Sequence, residues 1–345
     1  MKDASMSRNI FFTCQPGTVH GELWSSYSQQ RAEELGFTVR VNEHAGKLSP
    51  EEWADLLADE EAIMTTWGVP RLDETVLAKN TRLRFVGHAA GSVANLVSDE
   101  LYARGVRVIT ANAVMARSVA EWCLTATMLA ARNFLDYAKF GGTEPPNAAH
   151  RATVNGMADV TVGIWGFGDV VRAFLEMLAP LQPARILVCD DYLSVEEAER
   201  RGIEKVDLAT LARESDILHA LTGLTHQTKG GLGAELLASV RSGGTVINAG
   251  RAPLIEREAF LAELSSGRLR AILDVHYQEP PRAEDPFVQL PNVIMTPHCA
   301  GRGSRGRYVA TVLEEYDRFL RGDALRYEIS HERAMRMTNS DLVKG

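Results

Sequence analysis

Three groups of residues have the types and spacing to do chemistry. The first is Gly166-Phe167-Gly168, set between an apolar run and the start of a helical pattern. Gly166 permits a tight turn, and Gly168 lets backbone come close to a pyrophosphate. The helix N-terminus beyond offers free N–H groups and the positive end of a dipole. Asp190 ends the next apolar run, 22 residues after Gly168. A carboxylate there can accept hydrogen bonds from adenosine ribose hydroxyls and repels the extra phosphate of NADP, so NAD is favoured. An α/β turn that binds nothing has the same pattern in this segment alone. Two residues depart from the full fingerprint. Val171 replaces a third glycine and should push the helix away from the strand, and Asp169 puts negative charge near the expected pyrophosphate.

The second group is Asn248-Ala249-Gly250-Arg251. A buried arginine at a strand exit can pair bidentately with a carboxylate or a keto acid, whereas an isolated one after a turn is a surface residue. The third group joins Asp274 to Pro280 with Thr296-Pro297-His298-Cys299-Ala300-Gly301. Glu279 and His298 each follow a strand, next to proline. A carboxylate beside an imidazole fixes its orientation and favours its charged form, which gives a general acid near neutral pH. Taken singly, each is more often structural. His276 and Cys299 suggest a metal ligand or a nucleophile, but no metal-ligand spacing accompanies them, and no metal is expected.

These residues need a scaffold that brings strand exits together. From 160 onward the pattern is β-α-β, with strands expected at 160–165, 185–189, 216–220, 245–248, 271–275 and 293–296. That alternation implies a parallel sheet covered by helices on both faces. The first third also alternates, with strands expected at 9–14, 62–66, 83–87 and 106–110. Ser49-Pro50-Glu51-Glu52 is a capping box with proline at the first helical position. The segment 117–137 is apolar almost all round. Such a helix is buried on more than one side, between domains, between subunits or at the centre of one domain. A loop is expected at 141–146.

The 345 residues suggest roughly two domains at about 150 residues each. With 45% hydrophobic and 24% charged residues, the chain is neither disordered nor collagenous. Its longest apolar stretch is too short for a membrane span, and the N-terminus lacks a secretory apolar core. A net charge of −8, with no basic stripe beyond Arg302, Arg305 and Arg307, argues against nucleic acid. Four widely spaced cysteines suggest neither a disulfide framework nor a zinc site, and a cytoplasmic setting is expected.

The order of motifs resembles the D-isomer-specific 2-hydroxyacid dehydrogenases over about 82–322. The resemblance implies two Rossmann-like, doubly wound parallel-sheet α/β domains, with the NAD-binding domain (117–304) inserted into a discontinuous substrate domain (1–116 plus 305–345). It implies NAD-dependent interconversion of a small 2-keto acid and a D-2-hydroxy acid by a homodimer. Residue by residue, Arg251 matches the substrate-binding arginine, His298 the acid/base and Glu279 its carboxylate partner. Ala90, Gly91 and Ser92 match the loop that cradles the substrate carboxylate. Gly166, Phe167, Gly168, Asp169, Val170, Asp190, Ala249 and Gly301 fall at cofactor positions, and Asp274 matches the residue that contacts the nicotinamide amide. Met115, Ala252 and Leu221-Thr222-Gly223 depart from the family pattern. Two other readings remain open: an NAD(H)-binding regulatory protein with weak or lost catalysis, and a formate- or phosphite-type dehydrogenase.

Overall fold

The computed structural model describes residues 7–134, 155–303 and 305–343; the loop expected at 141–146 and the last residues of the 117–137 segment lie outside them. The chain divides into two compact units, Met1–Met115 with Arg302–Ser340, and Ala116–Gly301 with Asp341–Gly345. The last residues depart from the sequence reading, which assigned all of 305–345 to the first unit. Leu342 and Val343 instead pack on a core of the second.

The first unit is built on a five-stranded parallel sheet in the order β2-β1-β3-β4-β5. Its strands are β1 (Asn9–Phe12), β2 (Thr38–Val41), β3 (Ala62–Thr65), β4 (Phe85–His88) and β5 (Arg107–Thr110). β3 and β4 are buried along their whole length, as apolar runs in a parallel sheet must be. The capping box forms: Ser49 Oγ accepts from the Glu52 N–H at 3.2 Å, and Glu52 Oε2 accepts from the Ser49 N–H at 2.6 Å. It opens the helix Pro50–Leu57, which buries Trp53 and Leu57. The later helix Gly306–Arg321 returns to this sheet, with the Tyr316 and Phe85 ring centroids 4.9 Å apart. Arg305, from the basic cluster, pairs with Glu22 and lies over the Trp67 ring.

The second unit carries a seven-stranded parallel sheet in the order β12-β11-β10-β9-β6-β7-β8. Its strands are β6 (Thr161–Trp165), β7 (Arg185–Cys189), β8 (Glu204–Lys205), β9 (Ile217–Ala220), β10 (Thr245–Asn248), β11 (Arg270–Leu273) and β12 (Val293–Met295). The order reverses between β6 and β9, the switch point at which such sheets bind ligands. Asn248 pairs with Leu273, and Leu273 with Met295, so three neighbouring strands end level with one another.

The helix Asn112–Ala131 begins five residues earlier than the sequence pattern suggests. In the core, its Thr127 donates to Cys123 O at 2.7 Å and accepts from His219 Nε2 at 2.9 Å. Val171, which stands where the fingerprint has a third glycine, is accommodated by burial. Its side chain is fully buried in the core, on the same helix face as Phe174 and Leu178. The edge strands β2 and β8 escaped the sequence reading because both are short and partly or fully exposed. Among the described residues, no helix is long and apolar enough to cross a membrane.

Candidate active site

All strands of the second sheet are parallel, so the segments that leave their C-terminal ends share one edge. Gly166 leaves β6 with φ 115°, and a Cβ there would lie 2.7 Å from both N and Cα of Thr222. Only glycine fits both the left-handed backbone and the close approach of the chain leaving β9. The Gly166 N–H donates to Cys189 O at 2.9 Å, which ties the turn to β7. Gly168 is the N-cap of the helix Asp169–Leu178; no side chain caps this end, and the space beyond the Gly168 Cα is open. The N–H groups of the first turn have no intrahelical acceptor. Phe167 is buried, with the Arg172 guanidinium 4.2 Å from its ring centroid and bonded to its carbonyl at 2.6 Å.

Asp190 follows β7. Its Oδ1 accepts the Tyr192 N–H at 2.8 Å, while its Oδ2 meets no donor among the described residues. An uncapped helix start, a side-chain-free approach and a half-committed carboxylate make a donor and acceptor set that fits a dinucleotide: N–H groups for a pyrophosphate, an oxygen for ribose hydroxyls.

The turn after β10 is closed by buried Asn248. Its Nδ2 donates to Arg251 O at 2.9 Å and its Oδ1 accepts the Gly250 N–H at 3.0 Å. A Cβ on Gly250 would lie 2.8 Å from Ala220 O, so this turn also requires glycine. Arg251 is thereby presented at the edge in extended conformation. One nitrogen donates to Gly250 O at 2.6 Å; the rest of the guanidinium meets no acceptor among the described residues. Burial draws its pKa down, and the charge of Glu279 works in the opposite direction. It remains a cation, as arginine does throughout the ordinary pH range.

Glu279 and His298 come together: His298 Nδ1 and Glu279 Oε2 are 2.6 Å apart, with the side chains 44% and 36% exposed. With Nδ1 committed to the carboxylate, the ring offers Nε2 to a substrate. Burial acts to raise the Glu279 pKa, but the hydrogen bond and charge of His298, with the His276 N–H at 3.1 Å, outweigh it and hold the carboxyl below its usual range.

The turn that carries His298 is itself clamped. His298 has φ 48°, a left-handed conformation that costs a residue with a side chain on the order of 1 kcal/mol. Buried Asp274 accepts from Thr296 Oγ1 at 2.5 Å, from the Cys299 N–H at 2.8 Å and from the Ala300 N–H at 2.9 Å. The Thr296 carbonyl receives both the His298 N–H at 2.9 Å and His276 Nε2 at 2.8 Å. Asp274 is therefore occupied with this turn, which bears on the nicotinamide contact that the resemblance implies for it. Asn248, Thr296 and His276 stand in the groups read from the sequence, but their supporting roles in the site were not foreseen. Their only signal was position, at the first residue of a turn or beside a proline. His276 serves as a tie; among the described residues, no group of His, Cys, Asp and Glu could hold a metal ion. Ala249 and Gly301 belong to the same unit, Ala249 packed against its core.

Ala90, Gly91 and Ser92 lie in the first unit, after β4. Thr110 Oγ1 lies 2.8 Å from Ala90 O and 2.6 Å from Gly91 O, which fixes the loop from its carbonyl side. Among the described residues, the N–H groups of Ala90, Gly91 and Ser92 meet no acceptor. Three such successive donors suit an anion.

Comparison with known proteins matches residues 124–300 to the family model described as D-isomer specific 2-hydroxyacid dehydrogenase, NAD binding domain. The glyoxylate/hydroxypyruvate reductase B of Yersinia enterocolitica is 29% identical over 280 residues, covering 80% of this chain and 85% of that protein. The D-3-phosphoglycerate dehydrogenase of Methanocaldococcus jannaschii is 27% identical over 306 residues; the match covers 83% of this chain and 56% of that longer protein. Among solved structures, a phosphoglycerate oxidoreductase from Rhizobium etli superposes with a TM-score of 0.76 at 27% identity, covering 94% of this chain and 99% of that one.

Proposed function

Since the chain belongs to the D-isomer specific 2-hydroxyacid dehydrogenase family and is an NAD-dependent oxidoreductase, we propose that Arg251, Glu279 and His298 are its reacting set, acting on a small 2-keto or D-2-hydroxy acid. The observation that carries this is the 2.6 Å bond between His298 Nδ1 and Glu279 Oε2, at the sheet edge that also bears Arg251. NAD, when bound, supplies the two-electron redox capacity of the reaction. In the direction of reduction, His298 Nε2 gives a proton to the keto oxygen; in oxidation it removes one from the hydroxyl. Glu279 holds the ring and balances the imidazolium charge. Arg251, with most of its donors unspent, binds the carboxylate and stabilises negative charge on the carbonyl oxygen. The N–H groups of Ala90, Gly91 and Ser92 hold the substrate carboxylate.

For the cofactor, the loop Gly166-Phe167-Gly168 and the backbone of Asp169 and Val170 take the pyrophosphate. Asp190 takes the ribose, while Ala249, Asp274 and Gly301 border the nicotinamide. We assign the substrate role to the first compact unit and the cofactor role to the second. A homodimer is supported by the helix Asn112–Ala131, where Trp122, Leu124, Met128 and Leu129 are only half-buried. A cytoplasmic location is proposed from the family resemblance and from cysteines that are all free thiols.

The test is oxidation of NADH and of NADPH with glyoxylate, hydroxypyruvate and pyruvate. Reduction of at least one acid, with NADH preferred, is the expected result. Tight NADH binding with no turnover on any acid supports a regulatory protein instead. Oxidation of formate or phosphite with no keto-acid reduction supports a dehydrogenase of those anions.

A further inference from the structure

The loop after β4 is held from behind by a segment about 245 residues further along the same unit. Ser92 Oγ donates to Thr338 O at 2.7 Å, and Asn95 Nδ2 donates to Asn339 Oδ1 at 2.9 Å. In return, Asn95 Oδ1 accepts from the Ser340 N–H at 2.7 Å and from Ser340 Oγ at 3.0 Å. The segment is itself anchored, because Ile329 and Ala334 just before it are buried in the core beside β4 and β5. It bonds the side chains of the loop and leaves the N–H groups of Ala90, Gly91 and Ser92 unspent.

We propose that residues 338–340 form a clasp that sets the shape of the 90–92 loop for the substrate carboxylate, with Asn95 and Asn339 as positioning residues that govern KM. This rests on the reading that the loop binds a carboxylate. The physical reason is pre-organisation. Three N–H groups converge on one anion only if the loop is ordered before the anion arrives, and each ordering step left to the binding event weakens affinity. The clasp replaces contacts to substrate with contacts behind it, so its loss changes binding while leaving the proton-transfer groups alone.

The experiment compares the wild-type chain with Asn95→Ala, Asn339→Ala and Asn339→Asp, the last of which keeps the acceptor for Asn95 Nδ2. Steady-state kinetics use the best acid of the glyoxylate, hydroxypyruvate and pyruvate panel. Both alanine variants are expected to raise KM about tenfold, with kcat within about twofold and NADH affinity unchanged, and Asn339→Asp is expected to return KM toward wild type. An unchanged KM in the alanine variants overturns the clasp. So does a parallel loss of KM, kcat and NADH affinity, the mark of general disruption. If Asn95→Ala does not fold, the two Asn339 variants decide by the same criteria. If the wild type reduces no acid, the proposed function fails, and oxamate binding measured by calorimetry with NADH present decides the clasp. Oxamate bound by the wild type and about tenfold more weakly by Asn339→Ala supports it; no binding by the wild type, or equal binding, overturns it.

Discussion

His298 sits on a left-handed backbone with Nδ1 fastened to Glu279, so only its Nε2 can exchange a proton with a substrate. His298→Gln keeps a hydrogen-bonding side chain of similar reach but no proton to give. It is expected to fold, to bind NADH as before, and to lose about 10²–10⁴-fold in kcat, as single-turnover absorbance can check. Asp190 invites a separate test, since Asp190→Asn retains the Oδ1 that accepts the Tyr192 N–H, removes the charge and turns the second oxygen, the ribose acceptor, into a donor. NADH should bind about tenfold more weakly and the preference over NADPH should narrow, both readable by fluorescence titration. Arg251, Glu279 and His298 were visible in the sequence because each stands one turn beyond an apolar strand. Their supporting contacts were not: Asn248 and the His276 side chain bond to backbone, and Thr296 bonds to the Asp274 carboxylate, contacts that no residue type announces.

At the scale of elements, the unit that matters is the turn after β12, which Asp274 gathers through one hydroxyl and two N–H groups. Asp274→Asn turns one of its acceptor atoms into a donor facing N–H or O–H groups. The turn should loosen, kcat should fall by about ten- to a hundredfold, and NADH affinity should change far less. A kcat unchanged in that variant would show that the turn holds His298 without help. The strands of both sheets were legible wherever they are buried on two faces, because a short apolar run bounded by turn residues is too brief for a buried helix such as Asn112–Ala131. β2 and β8 were not, since an edge strand in contact with water needs no apolar pattern. Val171 shows the limit of a fingerprint. The third glycine of the pattern is replaced by a valine whose side chain is fully buried in the core.

For the whole molecule, pH bears on both units through buried histidines. Burial pushes the pKa of His88, in the first unit, down to about 4, and that of His219, in the second, down to about 3. Both side chains titrate near 6.5 once unfolded. The unfolded chain therefore binds more protons below that pH, and stability is full above about 6.5 and falls steadily as pH drops toward 4. Scanning calorimetry between pH 7.5 and pH 4.5, taken as roughly the range that spans this titration, should show a falling midpoint, and His88→Gln should flatten the slope in proportion to its share. The parallel strands of the second sheet have one further consequence. Arg251, Glu279, His298 and the dinucleotide turn leave at the C-terminal ends, while the exposed tight turn at Gly267 enters β11 at the opposite end. A fluorophore or a tether to a bead attached at Ser266 would thus sit at the end of the second sheet opposite the strand exits that carry these residues, and would label or anchor that unit without touching them.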